Sequence, residues 1–278
     1  MRAGTRPDAV ELPAITELLC DGDLKGCCAA VYAHPAVRWL LGDELHPGGQ
    51  ATTRRALELI GVMPGERLLD IASGKGDSAV LAARERACLV TGIDYGEAAV
   101  IDARLTVDAA GLSDRVAFRV GDAEALPFED QSFDAVLCEC SLCIFPDKRR
   151  ALAEVRRVLR PGCRVAIADV LADHDRLPAS LSGPLATAAC VGGALSRREL
   201  SRLLASAGFR VLATTSCTQE AAAMAERVYD RLRGARILGA DRIVGAALAI
   251  EEAIEIAAAA RAAIAQGALD YAIVAAAR

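Results

Sequence analysis

Short apolar runs alternate with amphipathic stretches through the middle of this chain of 278 residues. The runs are too short for buried helices and are bounded by glycine, proline and polar residues, which is typical of strands. They predict strands over 67–71, 88–93, 116–120, 134–139, 163–169 and roughly 209–215. The stretches between them predict helices over 76–86, 97–110, 147–159 and 196–207. Such alternation predicts an α/β fold, a Rossmann-like doubly wound sheet that is mostly parallel and covered on both faces.

The two ends of the chain have a different pattern. Apolar positions predict a helix over 9–33 that breaks at Asp21-Gly-Asp23, and a second helix that ends near residue 61. From Arg236 onward Ala, Ile and Leu dominate, which predicts helices that pack closely because their side chains are small. We therefore expect three parts: an N-terminal helical cap over 1–60, a central α/β domain over 61–217 and an Ala-rich helical C-terminal tail over 218–278.

Composition disfavours several classes of protein. A net charge of −5 argues against nucleic acid as a partner, since proteins that bind polyanions are usually basic. No apolar stretch reaches the ~20 residues of a membrane span, and the N-terminus lacks the apolar core of a secretory signal. These features predict a cytoplasmic protein that binds neither nucleic acid nor membrane.

Ten cysteines are many for such a protein, and burial as small hydrophobic residues accounts for Cys20, Cys88, Cys163 and Cys217.

Acidic residues follow three of the predicted strands. The first strand ends in Asp70 and passes into the turn Ala72-Ser-Gly-Lys-Gly76, where glycine lets a ligand approach the backbone. The second ends in Asp94, which is placed to accept hydrogen bonds from ribose hydroxyls. The third ends at Gly121-Asp122, where a carboxylate can accept from an exocyclic amine such as that of adenine. Position 79 is Ala where a dinucleotide-binding turn has its third glycine, which disfavours NAD.

Five motifs lie in order between residues 67 and 170: Leu-Leu-Asp-Ile-Ala-Ser-Gly-Lys-Gly, Gly-Ile-Asp, Gly-Asp-Ala-Glu-Ala-Leu-Pro-Phe, Ser-Phe-Asp-Ala-Val and Glu-Val-Arg-Arg-Val-Leu-Arg-Pro-Gly. With these motifs the segment resembles the class I S-adenosylmethionine-dependent methyltransferases. The resemblance implies S-adenosyl-L-methionine as the cofactor and a seven-stranded sheet whose last strand is antiparallel. The late strands are expected from the 209–215 run or from Tyr271-Ala-Ile-Val274.

The resemblance also assigns individual residues to the cofactor. Gly74 and Gly76 are expected to border its methionine part, and Asp94 is expected to bind the ribose hydroxyls. Asp122 and the backbone of Ala123 are expected to hold the adenine. The remaining residues expected to contact the cofactor are Asp70, Ala72, Tyr95 and Glu139.

Cysteines cluster where the methyl acceptor is expected. Loops at the carboxyl ends of parallel strands lie beside the ligand, and strand 134–139 ends in Cys138-Glu-Cys-Ser-Leu-Cys143. Alternation places Cys138 and Cys140 on one side if the strand continues to residue 140. Thiolates select soft, thiophilic centres, and this motif contains no histidine that could act as a general base. The motif therefore indicates a soft methyl acceptor.

A narrower resemblance is to the arsenite methyltransferases. In that family one cysteine follows the fourth strand and another precedes a Gly-Gly-Ala-Leu-like stretch, as Cys140 and Cys190 do here, 50 positions apart (190 − 140). The resemblance implies that Cys140 and Cys190 are catalytic and bind trivalent arsenic, whose lone pair attacks the methyl group, with a thiol as reductant. It also implies a third thiolate from Cys27 or Cys28, and Cys143 is a further expected substrate ligand.

Several alternatives stay open at this point. The cysteines also fit buried residues without chemistry or a structural zinc site, although Cys-x-Cys-x-x-Cys is not the usual paired spacing. Glu139 precedes Cys140 where arsenite methyltransferases usually have Asn, which leaves thiols, selenium or mercury species and organic metabolites as other acceptors. A metalloid-binding protein without catalysis and a homodimer through the Ala-rich tail are also left open. His46, in a His-Pro-Gly-Gly turn, is expected to be exposed to solvent.

Overall fold

A seven-stranded sheet forms the centre of the protein. The computed structural model describes residues 23–238 and 249–278. Its strands are β1 (Arg67–Ile71), β2 (Leu89–Asp94), β3 (Val116–Val120), β4 (Phe133–Glu139), β5 (Leu159–Ala172), β6 (Arg210–Ser216) and β7 (Leu269–Ala277). The strand order is β3-β2-β1-β4-β5-β7-β6, with β1 to β5 parallel and β7 antiparallel to both of its neighbours. The predicted mostly parallel sheet of seven strands, with an antiparallel last strand, is therefore confirmed.

Helices cover both faces of the sheet. The predicted helices of the central region are confirmed to within one residue, as α4 (Asp77–Arg86), α5 (Glu97–Ala110), α6 (Lys148–Val158) and α8 (Arg197–Ser206). A short helix, α7 (Pro184–Ala188), lies between β5 and α8. Ser196 and Glu199 form a reciprocal capping box at the start of α8, which explains why this helix begins where the sequence pattern predicts.

Alternate residues of each central strand enter two separate hydrophobic cores. In β1, Leu68 packs into one core and Leu69 into the other, and in β4 Val136 and Leu137 divide in the same way. Successive side chains of a strand point to opposite faces, so these cores lie on the two sides of the sheet. Because both faces are covered, the strands have continuous apolar runs rather than alternating ones.

The N-terminal cap is helical, as predicted. It contains α1 (Leu24–Ala33), α2 (Pro35–Leu41) and α3 (Gly49–Ile60). The part of the predicted first helix that precedes residue 23 lies outside the described residues. Asp23 caps α1 by accepting a hydrogen bond from the Gly26 N–H at 3.1 Å.

The C-terminal segment is helical only in part. It forms α9 (Thr218–Ile237) and α10 (Ile250–Ala265), and the chain then returns to the sheet as β7, between β5 and β6. The expectation of a helical tail through residue 278 is therefore wrong for 269–277. Both candidate late strands are present, as β6 and β7. In β7, Tyr271 and Ala272 are buried on opposite faces of the sheet, as successive residues of a strand are. No helix of the described residues is long and apolar enough to cross a membrane.

Candidate active site

A large cavity opens at the carboxyl ends of β1, β2 and β4, beneath α1 and α2. Its volume is about 1050 Å³. Nearly all of the residues predicted to bind the cofactor line it: Asp70, Ala72, Gly74, Asp94, Tyr95, Asp122, Ala123 and Glu139. Gly76 is the exception, because it lies behind the turn and faces the hydrophobic core. This cavity is the position where an open α/β sheet usually binds its ligand.

The turn after β1 depends on left-handed backbone. Ala72, Gly74 and Gly76 have φ values of 55°, 52° and 86°. A Cβ at Gly76 would lie 2.7 Å from the ring of Phe118, closer than real Cβ contacts allow. Gly76 therefore shapes the turn from behind, and its contact with the methionine part of the cofactor stays a prediction. Gly74 remains in the cavity wall.

Asp70 is a buried carboxylate with an unpartnered oxygen. The residue is only 2% exposed, and its Oδ2 has no hydrogen-bond partner among the described residues. Burial raises the pKa of Asp70 well above its usual range, and the nearby charges of Glu139 and Asp94 raise it further. An ammonium group placed in the cavity would satisfy this oxygen and neutralise its charge. The amino group of S-adenosylmethionine fits that requirement.

Asp94 is held by backbone N–H groups at the tip of β2. Its Oδ2 accepts from the N–H of Gly74 and its Oδ1 from the N–H of Gly96, each at 2.8 Å. Burial raises the pKa of Asp94, and these N–H groups oppose the rise by stabilising the carboxylate. The carboxylate is thereby fixed in orientation at the cavity wall, where ribose hydroxyls are expected.

Asp122 is paired with a lysine that the sequence analysis did not single out. Lys25 of α1 reaches Asp122 at 2.7 Å and Glu124 at 3.1 Å. Its ammonium also lies 5.6 Å from the centre of the Tyr95 ring, which is 41% exposed. These contacts fix one end of α1 over the part of the cavity where adenine is expected. No local pattern could have identified Lys25, since its partners lie almost a hundred residues away.

Glu139 ends β4 in a network of polar side chains. It accepts from Thr53 Oγ1 at 3.1 Å and from Ser78 Oγ at 2.6 Å, and His46 Nε2 lies 3.7 Å from its Oε2. The His46 side chain is only 13% exposed and stacks on Tyr271 at a centroid distance of 6.5 Å. The expectation of a solvent-exposed turn histidine is therefore wrong. His46 Nδ1 is buried without a partner among the described residues, and His46 lines the cavity.

Two cysteines meet beside this cavity, and Cys140 is part of its lining. Cys140 Sγ lies 3.7 Å from Cys190 Sγ, and Tyr32 Oη of α1 lies 3.4 Å from Cys190 Sγ. Both cysteines have left-handed backbone, with φ values of 50° and 66°. This conformation is strained for residues other than glycine and is concentrated at functional sites. The structure thus brings together the two residues on which the resemblance to arsenite methyltransferases depends.

The neighbouring thiols Cys140 and Cys143 make Cys190 the first of these thiols to ionise. Hydrogen bonds from Cys140 and Cys143 lower the pKa of Cys190 well below its usual range, although burial acts in the opposite direction. The same contact with Cys190 raises the pKa of Cys140, and burial raises that of Cys143. Tyr32, whose own pKa is raised by burial, keeps its proton; its hydroxyl donates to the Ala188 carbonyl oxygen at 3.3 Å and also contacts Cys190 Sγ. One thiolate among protonated neighbours is a suitable starting state for binding a thiophilic centre.

The other predicted cysteine ligands divide into two groups. Cys143 is buried beside Cys190, and its backbone N–H donates to Asp169 at 2.9 Å. Cys28 is fully buried near Cys190, and burial raises its pKa to about 11. Cys27 is disulfide-bonded. In that state it has no thiolate to offer, so Cys28 is the better candidate of the two for a third thiolate.

Cys138 does not join the cluster. The strand ends at Glu139, and the left-handed Cys140 turns the chain, so Cys138 and Cys140 do not share a side as alternation through residue 140 would require. Cys138 lies instead in the core on the other face of the sheet, where its thiol contacts Ser141 Oγ at 3.1 Å. Within the described ranges no group of three or more His, Cys, Asp or Glu side chains is arranged to hold a metal ion.

Comparisons with known proteins agree with this geometry. A family described as a methyltransferase domain matches residues 63–208. The chain is 40% identical over 144 residues to 27-O-demethylrifamycin SV methyltransferase of Amycolatopsis mediterranei, covering 48% of this chain and 53% of that protein. It is 37% identical over 157 residues to an arsenite methyltransferase of Halobacterium salinarum, covering 54% of this chain and 38% of that protein. The matches therefore span about half of these relatives or less.

Solved structures resemble this protein over more of its length. The [4+2]-cyclase SpnF superposes with a TM-score of 0.72 at 25% identity, covering 90% of this chain and 94% of that one. Phosphoethanolamine N-methyltransferase 2 of Haemonchus contortus, solved with S-adenosyl-L-methionine, gives a TM-score of 0.74 at 21% identity, covering 96% and 60%. The latter similarity shows the fold alone. Because the matched family covers more than half of the chain, and the sheet and cavity have the expected form, this protein belongs to the class I S-adenosylmethionine-dependent methyltransferases.

Proposed function

We propose that this protein transfers the methyl group of S-adenosylmethionine to trivalent arsenic bound by Cys140 and Cys190. The observation that carries this proposal is the 3.7 Å separation of the two sulfur atoms, which come from loops after β4 and β5. Both residues hold strained backbone conformations that bring their thiols together, and Cys140 lines the cofactor cavity. Soft thiolates prefer soft centres such as arsenic to oxygen-loving ions. The named arsenite methyltransferase of Halobacterium salinarum is consistent with this acceptor.

Arsenite binds by exchange of its oxygen ligands. Each thiol that attacks arsenic forms an As–S bond, and the leaving hydroxide takes the thiol proton as water. Cys190 is set to react first because its pKa is lowered whereas those of Cys140 and Cys143 are raised, and Cys140 lies within reach to form the second bond. Cys143 supports a third bond, since it hydrogen-bonds to Cys190, and Cys28 is the next candidate. The arsenic is then held through two As–S bonds with its lone pair free. A third As–S bond requires Cys143 or Cys28 to move toward it, since no group of three cysteines in the described residues is arranged to hold a metal ion.

The remaining site residues align the cofactor with the acceptor and exclude water from the site. S-adenosylmethionine, when bound, supplies a methyl group on a positively charged sulfur. Asp70, Asp94 and Asp122 are expected to orient it through its amino group, ribose and adenine. Transfer forms an As–C bond while the S–C bond breaks toward sulfur, which leaves neutral S-adenosylhomocysteine and formally oxidises arsenic from +III to +V. A thiol reductant returns the arsenic to +III. Alignment and exclusion of water are the main contributions that such a displacement needs.

Methylation of arsenite by the purified protein tests the proposal. Protein, S-adenosylmethionine, arsenite and glutathione are incubated, and S-adenosylhomocysteine and methylated arsenic are measured by mass spectrometry. We expect both products from the wild type and neither from Cys140→Ser or Cys190→Ser. Cys163→Ser is the matched control, because Cys163 lies in β5 outside the thiol cluster. Calorimetric binding of S-adenosylhomocysteine to each variant checks that its cofactor site is folded. Methylation that persists at the wild-type rate in both serine variants would refute the assignment.

A second candidate function is methylation of a hydroxyl group on an organic acceptor. It is favoured by His46, whose unpartnered Nδ1 and contact with Glu139 would suit a general base in the cofactor cavity. The 27-O-demethylrifamycin SV methyltransferase, as its name states, acts on an oxygen. Under this alternative, His46→Gln abolishes methylation of the organic acceptor and the serine variants at positions 140 and 190 retain it. Under the arsenite proposal, methylation of arsenite is lost in the serine variants at positions 140 and 190 and is retained in His46→Gln.

A further inference from the structure

Lys25 joins the cap helix α1 to the loop that follows β3. Its ammonium lies 2.7 Å from Asp122 Oδ2 and 3.1 Å from Glu124 Oε2. The Lys25 side chain is only 15% exposed, so the ion pair is partly shielded from bulk water. Burial opposes the charge on both partners, yet their hydrogen bond raises the pKa of Lys25 and lowers that of Asp122. Both groups therefore stay charged where they meet.

The contacts of Asp122 fix the plane of its carboxylate. Its Oδ2 is paired with Lys25, and its Oδ1 accepts from the N–H of Glu124 at 2.9 Å. Each carboxylate oxygen can accept two hydrogen bonds, so both oxygens keep a further acceptor position. Asp122 lines the cofactor cavity. A ligand in the cavity would therefore meet an oriented group that accepts hydrogen bonds and donates none.

The order of the strands places this carboxylate at the base of the cofactor. Strand β2 lies between β1 and β3, so the carboxyl ends of these three strands lie side by side. A nucleoside with its amino acid part at the turn after β1 and its ribose at Asp94 would extend its base toward β3. Asp122 follows β3 and is the side chain that we expect the edge of the base to reach.

The three N–H groups of the Lys25 ammonium face groups of the protein. Two are directed at the carboxylates of Asp122 and Glu124, and the centre of the Tyr95 ring lies 5.6 Å from the nitrogen, within cation–π distance. Lys25 is therefore placed to act on a ligand through Asp122 rather than by donating to it. An acceptor that is held in one orientation favours an amino group at the facing position of the base.

We propose that Lys25 is a positioning residue for the cofactor, which selects the 6-amino group of adenine by orienting Asp122. Without the ammonium, Asp122 and Glu124 would be two like charges close together, and repulsion would favour rotation of the Asp122 carboxylate away from the base. The inference rests on S-adenosylmethionine as the cofactor and on adenine at Asp122. It does not depend on the methyl acceptor, so its failure would leave the proposed arsenite chemistry untouched.

Two ligands that differ only at position 6 of the purine isolate this contact. S-adenosylhomocysteine and its analogue with hydrogen in place of the 6-amino group are titrated by calorimetry into the wild type and Lys25→Met. The wild type should prefer the amine by about 10-fold or more, since the analogue lacks a hydrogen bond to a charged group. Lys25→Met should reduce this preference at least about 3-fold. Equal affinities in the wild type, or an unchanged preference in Lys25→Met, would overturn the inference.

Arg38→Met is the matched control for attachment of the cap. Arg38 of α2 pairs with Asp102 of α5, so it also joins the cap to the α/β domain, away from Asp122. We expect Arg38→Met to keep the preference for the amine, and Lys25→Arg to keep it too because the ion pair is conserved. A preference that falls equally in Arg38→Met and Lys25→Met would show that attachment of the cap sets it, against the inference.

A double-mutant cycle with Asp122→Asn tests whether Lys25 acts through Asp122. Residues that act as a unit give non-additive changes, whereas independent sites give additive ones. We expect Lys25→Met to weaken the binding of S-adenosylhomocysteine in the wild-type background but to change its Kd less than about 2-fold in the Asp122→Asn background. Additive losses in the two backgrounds would contradict a role of Lys25 through Asp122.

Discussion

Replacement of Asp70 by Asn should stabilise the ligand-free protein and weaken the binding of S-adenosylmethionine. Asp70 is buried, its Oδ2 has no partner among the described residues, and its pKa is raised by burial and by the charges of Glu139 and Asp94. Asparagine has nearly the same shape but carries no charge. The substitution therefore removes an electrostatic penalty from the free protein and removes the partner that we expect for the cofactor ammonium.

The magnitudes follow from the two roles. Each unit by which burial raises the pKa of Asp70 costs about 1.4 kcal/mol of stability while the carboxyl is ionised, so the Asn variant should gain at least about 1.4 kcal/mol in the free energy of unfolding near neutral pH. The gain corresponds to at least roughly 3–6 °C in Tm. A hydrogen bond to a charged group contributes about 1.5–3 kcal/mol, so the Kd for S-adenosylmethionine should rise roughly 10- to 150-fold.

The pH dependence gives an independent check. Because the folded pKa of Asp70 is raised above its unfolded value, ionisation of this carboxyl disfavours the folded state. The penalty is fully present above the folded pKa and is relieved as the pH falls through it toward the unfolded value of about 3.9. The stability difference between Asp70→Asn and the wild type should therefore shrink as the pH is lowered over that interval.

Thermal denaturation of the free protein and calorimetric titration with S-adenosylmethionine measure both effects. Asp134→Asn is the matched control, because Asp134 lies near the opposite end of β4, accepts from the Arg67 N–H at 2.9 Å and pairs with Arg160. We expect this control to lose stability and to bind the cofactor as the wild type does. An Asp70→Asn variant that binds the cofactor normally, or that is less stable than the wild type, would refute the reasoning.

Two further predictions concern left-handed backbone. Gly76→Ala should lower the free energy of unfolding by about 2–4 kcal/mol, because the φ of Gly76 is 86° and the added Cβ would lie 2.7 Å from Phe118. Chemical denaturation measures this change, and an unchanged midpoint would show that the turn relaxes freely. Ala87→Gly should raise Tm by about 1–3 °C, because the exposed Ala87 ends α4 with a φ of 53°. Ala222→Gly within α9 is the control and should lower Tm; equal shifts for the two variants would contradict the argument.

The sheet and the cofactor turn could be predicted because their signals are local. Both faces of β1 are buried, so its residues form one apolar run, and the turn that follows needs glycine at a left-handed position. The end of the chain was harder to interpret. Ala275 and Ala276 are common in helices, and only the pairing of β7 with β5 and β6 decides that this segment is a strand.

The candidate acceptor site depends on contacts that no local pattern contains. The sequence shows that Cys140 and Cys190 follow strands, but their left-handed backbone and the resulting 3.7 Å contact are set by the loops around them. His46 lies in a turn, which usually indicates exposure, yet Glu139 and Tyr271 bury it. The sequence analysis singled out the correct loops but could not show which side chains meet.

One face of α1 joins the cofactor site to the acceptor site. Lys25, Cys28 and Tyr32 have i, i+3 and i+7 spacing, so they form one stripe along the helix, and all three line the cofactor cavity. The first contacts Asp122 and the last contacts Cys190, at points about 10 Å apart along the helix axis. Cys27 lies off this stripe, which is a further reason why Cys28 is the better candidate for a third thiolate. Because one helix covers both ends of the cavity, its position over the adenine region and its position over the thiols cannot be set independently.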